Sequence, residues 1–104
     1  MAAKHLFTND LTASTYTVST VPAGKEWSFS IVFCNRTSGY IRVRFAVSSS
    51  GTSTPTDSEF YMYDIEVPPN NSIERSGHTA QAGRKIIYWA EKSGISVNGH
   101  GYED

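Results

Sequence analysis

The segment Glu26-Trp27-Ser28-Phe29-Ser30-Ile31-Val32-Phe33-Cys34-Asn35 decides the fold. Trp27, Phe29, Ile31 and Phe33 alternate with Ser28, Ser30, Val32 and Cys34. Strand side chains point to opposite faces in turn, so this run predicts a β-strand with a large aromatic-aliphatic face and a small face. Downstream, Tyr40 to Ser48 repeats the pattern, with Ile41, Val43, Phe45 and Val47 on one face and Tyr40, Arg42, Arg44 and Ala46 on the other. Such alternation belongs to a sheet packed on one side and wet on the other. Phe60 to Val67 is a third strand, with Tyr61, Tyr63, Ile65 and Val67 in phase. Ile73 to Ser76, Lys85 to Glu91 and Ile95 to Gly101 follow. Upstream, Thr15 to Val21 reads as a strand, and residues 1–14 as an N-terminal arm or edge strand around Lys4 to Phe7.

Turn chemistry separates these runs. Pro22-Ala23-Gly24 fits a tight turn, in which Pro presets φ and Gly supplies a positive φ. Ala82-Gly83 repeats the device before Lys85. Thr37-Ser38-Gly39 reads as a short hairpin connection. Pro68-Pro69-Asn70-Asn71 ends a strand, because Pro cannot donate to a ladder. Ser48 to Ser58 is the longest loop, polar and mobile in character. Seven or eight short strands with regular turn signals predict one antiparallel β-sandwich over residues 15–104. Alternation does not specify strand order, so Ig-like and jelly-roll-like forms both remain open.

The 104 residues suffice for one domain with a modest core. Apolar content of 38% and charged content of 18% fit a folded chain rather than a disordered one. A formal charge of −1, with Lys and Arg scattered, argues against nucleic acid as the main partner, since phosphate binding needs a basic face. No apolar stretch approaches the length of a membrane span, and no secretory signal is evident, so cytoplasmic synthesis is expected. In that setting the glycosylation patterns at Asn35-Arg36-Thr37 and Asn70-Asn71-Ser72 are read as chance matches. Cys34 is the single cysteine, which excludes an intrachain disulfide.

Catalytic constellations are hard to assemble. Cys34 sits beside Phe33 in an alternating strand and is expected to be a buried structural thiol. His5, His78 and His100 lack metal-ligand spacings and read as solvated turn or strand-end residues. Asp57, Glu59, Asp64 and Glu66 form an acidic group whose expected role is a solvated face or pairing with Arg42 and Arg44 on a neighbouring strand. No catalytic residue, cofactor or metal is assigned. Trp27, Trp89 and the tyrosines serve a core or a protein interface, with a carbohydrate platform as the alternative.

A family resemblance adds to this reading. It is carried by Tyr16-Thr17-Val18 with Val21-Pro22-Ala23-Gly24-Lys25, Asn35-Arg36, Ile41-Arg42-Val43 with Ala46-Val47-Ser48, and Tyr61 with Tyr63-Asp64. It continues through Pro69-Asn70, Glu74-Arg75-Ser76-Gly77, Ala82-Gly83-Arg84-Lys85, Gly94-Ile95-Ser96-Val97, Gly99, Gly101 and Glu103-Asp104. Over residues 15–104 the chain resembles small β-sandwich virion structural proteins of tailed bacteriophages. That resemblance implies a non-enzymatic, homo-oligomeric particle component: a head decoration protein, or a neck, tail or baseplate accessory that contacts itself and other virion proteins. Trp89, Tyr102, Arg42, Arg44 and His100 are the candidate interface residues. A carbohydrate-binding module for host-surface attachment is the alternative function.

Overall fold

The computed structural model describes residues 3–48 and 54–104. Its strands are β1 (Ala3–Asp10), β2 (Thr17–Thr20), β3 (Trp27–Asn35), β4 (Ile41–Ser48), β5 (Phe60–Val67), β6 (Ser72–Ala80), β7 (Lys85–Ala90) and β8 (Ile95–Glu103). A 3-10 turn at Asp57–Glu59 precedes β5. No described helix is long and apolar enough to cross a membrane. Of the long loop expected over Ser48 to Ser58, residues 49–53 lie outside the described residues. Its later part contains the buried Pro55 and the 3-10 turn, which packs against β4.

The strands form two four-stranded antiparallel sheets, ordered β1-β8-β3-β6 and β2-β7-β4-β5. Pairing runs β1 with β8, β2 with β7, β3 with β6 and β4 with β5. The chain is therefore one long hairpin, bent at the β4–β5 connection and rolled so that successive pairs fall in alternate sheets. The β3·β8 and β4·β7 ladders complete the sheets. This is the jelly-roll form of the sandwich. Among the described strands only β4 and β5 are neighbours in both sequence and sheet. The Thr37-Ser38-Gly39 segment is consequently not a hairpin turn. It carries the chain from β3 in one sheet to β4 in the other.

Alternation places Trp27, Phe29, Ile31 and Phe33 of β3 against Ile41, Val43 and Phe45 of β4, with Ile86, Tyr88, Ile95 and Val97 filling the space between the sheets. Two polar anchors fix this core. Asn35, 1% exposed, donates from Nδ2 to the carbonyls of Gly39 (2.8 Å) and Val67 (2.9 Å), and its Oδ1 accepts from Thr37 N and Oγ1. Buried polar atoms are tolerated when so satisfied. The Asn35 amide is thus committed inside the fold. Tyr88 is fully buried, yet its hydroxyl accepts from Asn9 Nδ2 (2.5 Å) and shares a 2.6 Å bond with Ser19 Oγ. That bond set joins the edge strands of both sheets. Burial raises the Tyr88 pKa.

Three expectations are corrected by β-bulges. β6 extends from Ser72 to Ala80 rather than stopping at Ser76, because Gly77 (φ +85°) is a bulge and not a turn. Ile31 faces Arg75 and Phe29 faces His78, so β6 spends two residues where β3 spends one. The extra residue swings His78 inward onto Phe29 and Phe45, so it is not a solvated turn histidine. In β5, irregularities around Phe45 flip the phase. Met62 is buried while Tyr61 and Tyr63 are exposed, so the expected Tyr61-Tyr63-Ile65-Val67 face does not form.

Candidate functional site

The outer face of the β2-β7-β4-β5 sheet carries the most unusual side-chain grouping. Arg44 on β4 lies directly opposite Trp89 on β7. The guanidinium carbon sits 4.1 Å from the Trp89 ring centroid and 4.2 Å from that of Tyr63. Its Nε donates to Asp64 Oδ1 at 2.6 Å, and Nη1 donates to the Tyr16 hydroxyl at 3.1 Å. Tyr16 also neighbours Trp89 and Phe60, at 6.3 and 6.5 Å between centroids, and Phe60 meets Tyr63 edge-on at 5.0 Å. Two aromatic rings, a tyrosine hydroxyl and one carboxylate thus contact a single arginine, with Phe60 packed against Tyr16 and Tyr63. The hydrogen bond to Asp64 leads the causes that raise the Arg44 pKa above its ordinary value, so the cation is permanent.

The β5 bulge builds this arrangement. Val43 faces Ile65 and Phe45 faces Met62, leaving Tyr63 and Asp64 together opposite Arg44. Asp64 adopts φ +54°, a left-handed conformation that Asp tolerates better than most residues. A regular strand would point Tyr63 and Asp64 to opposite faces. The bulge lets the ring stack on the guanidinium while the carboxylate bonds its edge. Such planar recognition from both directions suits arginine and not lysine.

Beneath the cluster, Ala46 and Ile87 point to the outer face yet are almost fully buried. Phe60 lies opposite Ala46 in the ladder and contributes to that cover. Tyr61 (62% exposed) and Tyr63 (55% exposed) remain open to solvent on the edge strand. An exposed tyrosine, Tyr63, stacked on a partly buried arginine has the composition of a protein interface centre.

The candidate interface residues do not share one face. Arg44, Trp89 and the exposed Arg42 belong to this outer surface. Arg42 faces Glu66 in the ladder, while its backbone N–H donates to Glu91 Oε1. His100 and Tyr102 lie on the opposite side of the molecule, on the outer face of the β1-β8-β3-β6 sheet, beside Ser30 and Ser28. His100 Nε2 stands 3.8 Å from Glu74 Oε2. The expected pairing of arginine with the acidic group is realised at Arg44–Asp64.

Cys34 is half-exposed on that same second face, between Ser72 and Ser96, and not buried as expected. It therefore sits on the opposite side of its sheet from inward-facing His78. Trp27 is buried, with Nε1 donating to Glu103 Oε2 at 2.9 Å, so it forms no platform. The Trp27 and Lys4 hydrogen bonds lower the Glu103 pKa. Among the described residues no three His, Cys, Asp or Glu side chains are grouped to hold a metal. Tyr16 and Phe60 are the members of the arginine cluster that periodicity did not single out, whereas Asp64 is an expected partner of Arg42 or Arg44. No family model, curated protein or solved structure matches this chain.

Proposed function

We propose that this protein is a non-enzymatic structural component of a tailed-bacteriophage particle, assembling with copies of itself and with neighbouring virion proteins. The observation that carries the proposal is the Arg44 cluster with its exposed member Tyr63. Aromatic and arginine side chains concentrate at the centres of protein–protein contacts, where they bring large buried area at small entropic cost. Here the arginine is already oriented by Asp64 and two rings, so docking would freeze little extra motion. The eight-stranded sandwich supplies a rigid block whose outer face can repeat around a symmetry axis. The sequence resemblance over residues 15–104 points to the same class of protein.

The test is the composition of purified particles of a phage whose genome encodes the chain. Quantitative mass spectrometry is expected to find it at a fixed whole-number ratio to the major capsid or tail protein. Abundance in the lysate with absence from density-purified particles would refute the assignment.

A further inference from the structure

The opposite outer face holds a second feature that assembly through the Arg44 cluster does not use. A shallow, open depression of about 660 Å³ lies over β3 on the β1-β8-β3-β6 sheet. Its making is legible in the side chains. Ser28 and Ser30 are the small face of β3, and the Gly77 bulge removes a side chain beside them. Tyr102, 46% exposed, and His100 rise from β8 on one side, with Thr79 of β6 on the other.

We infer that this cavity binds a neutral saccharide. Three observations select that chemistry. The hydroxyls of Ser28, Ser30, Thr79 and Tyr102 form no side-chain hydrogen bond with any other described residue, so four solvent-accessible donor-acceptor groups line one open face. The lysine of the lining is already engaged, since Lys4 Nζ is 3.0 Å from Glu103 Oε1. A phosphate or carboxylate ligand would have to compete with Glu103 for that cation. Finally, the exposed Tyr102 ring offers a flat apolar face to the C–H side of a pyranose while the serines meet its hydroxyls. Hydroxyl groups that both donate and accept suit a ring of sugar hydroxyls. The inference goes beyond the assembly role and concerns the other face of the sandwich, so either can fail alone.

The test is a set of ¹H–¹⁵N titrations of the whole chain with the methyl glycosides of glucose, galactose, mannose and N-acetylglucosamine, each into the millimolar range. At least one glycoside is expected to give saturable shifts centred on Ser28, Ser30, Thr79, His100 and Tyr102. Tyr102→Ala is expected to weaken that binding about tenfold or more. Ser30→Val, which fills the floor, serves as a second probe with the same expected loss, and thermal unfolding checks that both variants stay folded. Absence of saturable shifts with all four glycosides would overturn the inference. So would shifts centred on Trp89 and Tyr63, binding unchanged in both variants, or sugar-free shifts at these residues that grow with protein concentration, which would assign the cavity to a second copy of the chain.

Discussion

Asn35 shows how much of this fold rests on single side chains. Its amide satisfies three backbone groups and one hydroxyl inside the core, at the point where the chain leaves one sheet for the other. Asn35→Ala strands the buried Val67 carbonyl and removes the acceptor of the part-buried Thr37 N–H, and leaving a buried group unpaired costs about 1–3 kcal/mol. Urea unfolding is expected to show an unfolding free energy lowered by an amount in that range, read as a lower midpoint at unchanged slope. His78 presents the opposite case. Its Nε2 is buried with no hydrogen-bond partner among the described residues, and the ring packs on Phe29, Phe45 and Tyr61. Burial lowers the His78 pKa below its ordinary 6.5. The unfolded chain therefore binds the proton more readily than the folded one. Stability is full above pH 6.5 and falls as pH drops from there toward the depressed folded value. Denaturation midpoints measured from pH 8 to pH 5 are expected to decline, and His78→Phe is expected to flatten the decline. A slope that survives this substitution would place the titration elsewhere.

At the scale of elements, the bulges decide what each strand presents, and glycine chemistry separates two kinds of constraint. A Cβ at Gly101 would overlap the Ser28 carbonyl oxygen and crowd Phe29 Cα, both backbone atoms that cannot step aside. At Gly77 a Cβ meets nothing, and only the positive φ resists substitution. Gly77→Ala is expected to cost about 1–2 kcal/mol, the left-handed penalty for an L-residue. Gly101→Ala is expected to cost more than Gly77→Ala, since the β3–β8 ladder must separate locally. Paired thermal melts decide the order. These positions also mark where the sequence stopped being readable. Strict alternation made β3 and β4 legible almost to the residue. The same rule failed in β5 and β6, because an inserted residue inverts the phase without leaving a compositional mark. Gly77 resembled a turn glycine, and Asp64 gave no warning of its left-handed backbone. Arg44, Trp89 and the pairing of Arg44 with the acidic group were legible, but Tyr16 and Phe60 join them only through tertiary placement.

For the whole molecule, the rolled-hairpin topology explains why sheet order lay beyond periodicity. Side-chain alternation reports which face is buried and carries no information about which distant strand lies alongside. The β1·β8 pair closes almost the full length of the chain. Folding dominated by such distant pairings is slow, on the order of milliseconds to seconds for small β proteins. Stopped-flow refolding is expected in that window, and microsecond refolding would contradict the assigned pairing. Assembly is the remaining whole-molecule claim, and it places the Arg44 cluster with Tyr63 at the contact between copies. Sedimentation velocity over a concentration series tests it most directly, comparing the wild type with Tyr63→Glu, a change on an exposed side chain. The account predicts a discrete homo-oligomer for the wild type and a shift to monomer for a folded variant at equal concentration. A wild type that remains monomeric throughout, or an oligomer indifferent to charge at Tyr63, would contradict it.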